Sequence, residues 1–147
     1  MPELGVHVLV KFPVISIKGG TIDIHKSEGE LRRCTKLALK KRWYDGLTIL
    51  DRDGVLHTVR GAKYVRDTGQ KAYPGLFASK LVEVELEMEV SERRLSLEDV
   101  RQTMRRALSA DPGFWESSGR DLSKVLKDLD AAASIDEIWQ VVTPLLT

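Results

Sequence analysis

Val82-Glu-Val-Glu-Leu-Glu-Met-Glu-Val90 is the stretch that decides the fold of this 147-residue chain. Apolar and acidic side chains alternate through it without a break, and a period of two places them on opposite faces of a β-strand. We therefore predict a half-buried strand whose apolar face packs on a core. Its outer face carries the acidic ladder, which consists of Glu83, Glu85, Glu87 and Glu89.

The residues after this strand show the pattern of three amphipathic helices. Each predicted helix begins at a serine followed three positions later by an acidic residue, at Ser96, Ser118 and Ser134. The serine hydroxyl accepts a hydrogen bond from a free backbone N–H, and the carboxylate is stabilised by the helix dipole. We expect the first of these helices to end at Asp111-Pro112-Gly113.

The beginning of the chain shows the pattern of a tight hairpin. Gly19-Gly20 tolerates the positive φ angles of a two-residue turn between strands at 14–18 and 21–25. This turn pairs Ile17 with Ile22 and Ile15 with Ile24, which places four isoleucines on one face. A further strand, 6–12, is predicted before Pro13.

A second hairpin is predicted closer to the acidic ladder. Residues 47–51 and 55–60 flank a turn that ends at Gly54, a residue suited to a left-handed backbone. The three-residue turn pairs Leu50 with Leu56 and Thr48 with Thr58. We expect a short strand at 62–65 to extend this hairpin, followed by a loop at 67–79.

One helix is predicted between the two hairpins, from the capping box at Ser27 and Glu30 to about Arg42. Its apolar face carries Leu31 and Cys34, and a buried free cysteine behaves as a small hydrophobe. The opposite face is basic and consists of Arg32, Arg33, Lys36 and Lys40.

The order of these elements predicts an α+β fold. Strands come first and helices last, which favours an antiparallel β-sheet with one helix inserted after the third strand and a C-terminal layer of three helices. We expect a single α+β domain over 1–147, sheet-rich in 1–90 and helical in 96–146. A division into a sheet domain and a helical tail near 91–96 is the alternative.

Composition narrows the classes of protein. A single cysteine excludes an intrachain disulfide framework, and the apolar run from Val6 to Val10 is too short for a signal peptide or a membrane span. We therefore expect a cytoplasmic protein with no membrane association. The net charge of +1 is unevenly distributed, because residues 1–80 carry 15 Lys and Arg against 8 Asp and Glu, and residues 81–147 carry 8 against 14.

No pattern for catalysis, a metal or a cofactor is present in the sequence. His7, His25 and His57 lack zinc-ligand spacing, and no glycine-rich loop leads into a helix. We predict that the protein is not an enzyme and binds no cofactor. A dispersed site that combines Asp23, His25 and His57 is the remaining enzymatic alternative, and it lacks a visible nucleophile.

Charged surfaces give two hypotheses about partners. The acidic ladder either docks a basic protein or pairs with cations of neighbouring strands such as Arg60, Lys63 and Arg66. The basic helix face is the candidate for an alternative function, nucleic-acid binding. Large aromatic residues in loops are either interface anchors or side chains that pin their loops onto the core, and here they are Tyr73, Phe77 and Trp115.

The chain as a whole resembles small bacterial immunity proteins of polymorphic toxin systems. The residues that carry this resemblance are the strand–turn–strand at 47–59 and the helix starts at 96–100 and 134–138. The resemblance implies a compact α+β protein that is encoded beside a secreted toxin, has no chemistry of its own, and blocks the toxin by stoichiometric binding. Such toxins are often basic nucleases.

We therefore expect a protein-binding module, and more specifically an immunity protein that neutralises a cognate toxin. Its partner is expected to be a basic protein held by the acidic ladder and the three loop aromatics.

Overall fold

The computed structural model describes residues 10–19, 21–71, 80–89 and 92–146, and in these ranges the chain is a mixed α+β protein. The strands are β1 (Val14–Lys18), β2 (Thr21–His25), β3 (Arg33–Thr35), β4 (Thr48–Leu50), β5 (Val55–Lys71), β6 (Lys80–Met88) and β7 (Arg93–Arg94). The helices are α1 (Glu28–Leu31), α2 (Lys36–Lys40), α3 (Leu97–Ser109), α4 (Pro112–Ser117), α5 (Leu122–Ala131) and α6 (Ile135–Leu146).

All strand pairs that the structure describes are antiparallel, as predicted. The order across the sheet is β2-β1-β4-β5-β6-β3, and β7 pairs with the start of β5. The long strand β5 pairs with β4 only over 56–58, and from Val59 onward it pairs with β6. Register shifts interrupt the β5–β6 pairing at Val59/Gly61, Tyr64/Arg66 and Asp67/Lys71.

Both predicted hairpin registers are confirmed. Ile15 lies opposite Ile24 and Ile17 opposite Ile22. In the second hairpin, Thr48 and Leu50 lie opposite Thr58 and Leu56, and Gly54 has a φ of 84°. Turn chemistry and the period of the apolar residues were sufficient to set these pairings.

Two apolar cores lie on opposite faces of the sheet. The first joins the isoleucine face of the first hairpin to the C-terminal helices, with Met104 and Trp139 among its buried side chains. The second lies on the other face, where Val82 and Val84 of β6 pack with Leu31, Cys34 and Tyr44. A sheet covered on both sides explains why the chain has two separate apolar clusters.

The single helix predicted over 27–42 is wrong. Ser27 caps a helix as expected, since its hydroxyl accepts from the Glu30 N–H, but α1 ends at Leu31. Residues 33–35 then form β3 on the edge of β6, and Thr35 caps a separate short helix, α2. Pairing with an edge strand satisfies the backbone groups of 33–35, so tertiary contact overrides the helical pattern.

The predicted loop at 67–79 is also wrong in its first part. Strand β5 continues through the proposed strand at 62–65 to Lys71, and 72–79 lie outside the described residues. Residues 6–9 of the early strand lie outside them as well, while 10–13 do not form a strand.

The C-terminal layer has four helices instead of three among the described residues. Asp111 and Pro112 were expected only to end a helix, but the Asp111 side chain accepts from the Phe114 N–H and Pro112 occupies the first turn of α4. Ser118 ends α4, and Asp121 caps α5 in its place. The helix starts at Ser96 and Ser134 are confirmed.

A buried carboxylate holds the β4–β5 turn. Asp51 is 1% exposed, and its Oδ1 accepts from the backbone N–H groups of Asp53 and Val55 at 2.9 and 3.0 Å. Its Oδ2 lies 3.2 Å from Nε2 of His57, which is 2% exposed. Burial acts to raise the pKa of Asp51, but these hydrogen bonds outweigh burial and lower it.

We predict that Asp51→Asn lowers the free energy of unfolding by about 3 kcal/mol near pH 7. The new side-chain NH₂ group is a donor, and it would replace an oxygen that accepts from buried donors. A lowered folded pKa means that the contribution of Asp51 is present above about pH 4 and is lost as the pH falls through the folded pKa. Urea unfolding at several pH values should therefore show the two proteins converging in acid. Asp53→Asn, in the same turn but exposed, is the control, and an equal loss in both variants would contradict this role.

We also predict that Gly54→Ala is more destabilising than Gly69→Ala. Both glycines have positive φ, 84° and 80°, so each alanine carries a backbone cost of about 1 kcal/mol. At Gly54 the new methyl would also lie 2.8 Å from Cδ1 of Ile135 and 3.4 Å from Cγ2 of Val100, whereas nothing lies within 4 Å at Gly69. The difference in thermal midpoint between the two variants measures this contact, and equal midpoints would refute it.

Candidate functional site

Three members of the acidic ladder, Glu83, Glu85 and Glu87, lie on strand β6 as predicted, and Glu89 follows directly after the end of the strand at Met88. Val82 and Val84 are fully buried in the second core, and the glutamates alternate with them on the outer face. Glu85, Glu87 and Glu89 are exposed, while Glu83 is half-buried. Carboxylates two residues apart on a strand are separated by about 6.6 Å, so a partner can engage several of them at once.

Two members of the ladder are held by the protein's own cations. Glu83 lies 2.9 Å from Nε of Arg66 and 3.7 Å from Nη2 of Arg32, and its side chain is 26% exposed. Glu87 pairs with Lys63 at 3.6 Å. The alternative of cross-strand pairing is therefore correct for Lys63 and Arg66, whereas Arg60 makes no such pair among the described residues.

The other part of the ladder is open. Within the described residues, neither Glu85 nor Glu89 takes part in an ion pair. The structure adds a carboxylate that the sequence did not indicate, because Asp45 lies beside Gly61, the register partner of Glu87. If Gly61 carried a Cβ, that atom would be 3.2 Å from Asp45 Oδ1 and 3.7 Å from Glu87 Oε1. Both carboxylates therefore lie close to the Gly61 backbone, in space that a side chain would otherwise fill.

The four residues proposed for nucleic-acid binding do not share one helix face. Arg32 ends α1, Arg33 lies on β3, and Lys36 and Lys40 lie on α2. Arg32 donates to the carbonyl of Val84, and Lys36 lies 3.6 Å from Asp67. The basic face predicted from a continuous helix is therefore not formed.

Two of these cations, Arg32 and Arg33, line a groove of about 520 Å³ that also contains Glu83 of the acidic ladder. Arg32, Arg33 and Arg66 lie in it together with Glu28, Asp67 and Glu83. Opposite charges thus neutralise each other inside the groove. The balance leaves no dominant potential to select an anion or a cation.

The aromatic residues were only partly placed correctly by sequence. Trp115 is 5% exposed and donates through Nε1 to the carbonyl of Leu108 at 2.8 Å, so the prediction of a contact residue is wrong and it belongs to the core. Two other aromatic side chains are exposed: Phe114, the neighbour of Trp115, at 56%, and Tyr64 at 54%. Tyr73 and Phe77 lie outside the described residues.

The two histidines of the described residues, His25 and His57, have different polar partners. His57 is buried between Asp51 and Glu92, with Nδ1 3.6 Å from the Glu92 carboxylate. His25 Nε2 lies 2.8 Å from Oγ of Ser16, a nucleophile that sequence reasoning missed. Burial lowers the pKa of His25 despite the opposing charges of Asp23 and Glu30.

This Ser16–His25 pair lacks access for a substrate. Ser16 is 2% exposed, and neither residue is among those that line four surface grooves of the described part of the chain. The Ser16 hydroxyl reaches the imidazole diagonally across the β1–β2 pair, since Ser16 lies opposite Asp23 and His25 lies opposite Val14. This contact gives the buried hydroxyl a partner. We therefore assign the pair to the packing of β1 on β2.

Other chemistry is similarly limited in the described ranges. Cys34 is buried, and burial raises the pKa of its thiol, which disfavours the reactive thiolate. No group of three or more His, Cys, Asp or Glu side chains that could hold a metal ion occurs there. None of the helices described is both long and apolar enough to cross a bilayer.

We predict different costs for removing neighbouring charges of the ladder. Glu83→Gln should lower the free energy of unfolding by about 1 kcal/mol, because it loses two guanidinium partners at a half-buried position. Glu85→Gln, on the same strand face but without such a partner, should stay within about 0.5 kcal/mol of the parent protein. Urea unfolding at low and high salt distinguishes them, and equal effects would show that the Arg66 pair is not stabilising.

Comparisons with known proteins do not assign this arrangement to a family. No protein-family model matches the chain, and neither a curated protein nor a solved structure shows significant similarity to it. The geometry of the acidic ladder and its surroundings is therefore the basis for the function proposed below.

Proposed function

We propose that this chain is a protein-binding module that holds a basic partner on the outer face of strand β6. The observation that carries the proposal is the row of exposed carboxylates at Glu85, Glu87 and Glu89, on and directly after a strand that is anchored by the buried Val82 and Val84. A rigid strand presents these charges at fixed spacing, which favours one arrangement of partner cations over others.

The proposed contact surface differs from the acidic ladder that was predicted from the sequence. Glu83 already forms ion pairs with Arg32 and Arg66. A partner that bound Glu83 would have to break these ion pairs. Asp45 takes its place at the other end of the ladder, where one of its oxygens lies near Gly61. Its second carboxylate oxygen remains 2.7 Å from Nε of Arg42.

The resemblance to immunity proteins supports a toxin as the partner. A basic nuclease carries the cations that such a surface selects, and electrostatic attraction accelerates the encounter of the two proteins. In this proposal the chain acts by stoichiometric capture in the cytoplasm and performs no catalysis.

No contact within the described residues favours nucleic-acid binding as a second function. Two of the four cations on which that alternative relied are in ion pairs with Glu28, Glu83 and Asp67.

We predict that the double variant Glu85→Lys/Glu89→Lys binds its partner at least tenfold more weakly, because two attractive charges become repulsive. The partner to test is the purified product of the neighbouring gene, measured by calorimetry at low and high salt. Parent binding should weaken with salt, and the variant should depend on salt much less.

Glu116→Lys/Asp128→Lys is the matched control, since it makes the same change of charge at two exposed positions of the helical layer. It should retain the parent affinity. Loss of affinity in this control to the same degree would show that net charge, and not the ladder, governs binding. Unchanged affinity in the ladder variant would overturn the proposal.

A further inference from the structure

A second groove, of about 490 Å³, lies on the opposite side of the sheet between helix α3 and the strands of the first core. Its floor contains Ile17, Thr48 and Leu56, of which Ile17 and Leu56 are half-buried apolar side chains. The C-terminal helices cover the rest of this face but leave these residues accessible. The volume falls within the range of roughly 300–1,000 Å³ that is common for small-molecule sites.

The wall of this groove is a polar stripe on helix α3. Asp99, Thr103 and Arg106 recur at the spacing of one helix face, and Ala107 and Ala110 continue the wall with small side chains. The apolar stripe that includes Val100, Met104 and Leu108 is buried in the first core. The polar stripe therefore faces the apolar floor across open space instead of packing against it.

Two cations in the groove have no partner. Within the described residues, three arginine side chains make no hydrogen bond or ion pair, and they are Arg60, Arg93 and Arg106. Arg93 and Arg106 both line this groove. Arg93 is the cross-strand neighbour of Leu56, so its side chain lies on the same sheet face as the apolar floor. Other arginines, such as Arg52 and Arg66, are held by carboxylates.

The single acid in the groove does not cancel both cations. Asp99 lies seven residues before Arg106 on α3, which separates them by about 10 Å along the helix axis. The end of the groove at Arg106 is therefore positive, and its floor is apolar. This combination of groups is complementary to a molecule with an anionic head and an apolar body.

We propose that this groove binds a small aliphatic carboxylate, whose carboxylate is held by Arg106 with Arg93 as the second cation, and whose apolar chain lies on Ile17 and Leu56. The proposal is independent of the basic protein partner, because the acidic ladder lies on strand β6, outside this groove.

The test is titration of the purified protein with decanoate, below the concentration at which it forms micelles, followed by calorimetry. Decylammonium and decanol, with the same chain, are the probes with reversed and absent charge. We expect saturable binding of one decanoate per protein and at least tenfold weaker binding of the other two. Absence of saturable decanoate binding, or equal affinity for decylammonium, would overturn the proposal.

Variants locate the site. Arg106→Gln and Arg93→Gln should each weaken decanoate binding about tenfold, and Ala110→Trp should abolish it by filling the groove from an exposed position. Arg60→Gln is the matched control, as an exposed and unpaired arginine elsewhere, and should leave the affinity unchanged. Binding that is insensitive to all three groove variants would refute this location.

Two further titrations distinguish the small-ligand proposal from the protein-partner proposal and from docking of an acidic protein segment. Glu85→Lys/Glu89→Lys should bind decanoate like the parent, so failure of one proposal is distinguishable from failure of the other. An acetylated Leu-Glu-Leu amide represents an acidic protein segment. If that peptide binds and decanoate does not, the groove is a docking site for a protein, and the small-ligand proposal is wrong.

Discussion

The arrangement of the whole molecule depends on how strand β5 divides its pairing. Its first residues pair with β4, and the remainder pairs with β6, so one strand of 17 residues links two parts of a curled sheet. The Asp51 carboxylate fixes where this strand begins by holding the turn before it. Strand β6 then pairs with β5 from Val59 onward across three register shifts, with Val82 and Val84 on its buried face.

Folding brings part of the basic half of the chain against part of the acidic half. Arg32, Lys63 and Arg66 come from the basic half, and they meet Glu83 and Glu87 from the acidic half across β6. Individually, exposed pairs of this kind contribute little to stability. Among the described residues, the charges that make no ion pair include Glu85 and Glu89 beside these pairs, and Arg93 and Arg106 in the α3 groove.

Sequence patterns among residues close together in the chain predicted much of the fold correctly but little of the candidate site. The alternation in β6, the hairpin at Gly19 and the caps at Ser96 and Ser134 depend on nearest neighbours, and their predictions were confirmed. The break at 33–35 was missed because its cause lies some fifty residues later, at the edge of β6. The same limit applies to the site, since the burial of Trp115, the carboxylate of Asp45 and the α3 groove all arise from contacts between distant segments.

The far part of β5 has a consequence for behaviour at high concentration. Beyond Gly61 this strand is paired only on the β6 side among the described residues, and such an edge is a template for adding strands from other molecules. Bulges at Tyr64/Arg66 and Asp67/Lys71 twist it away from the flat form that stacking requires, and Lys63, Arg66 and Asp67 line it with charge. Irregular pairing and charge at such an edge disfavour the addition of a strand from another molecule.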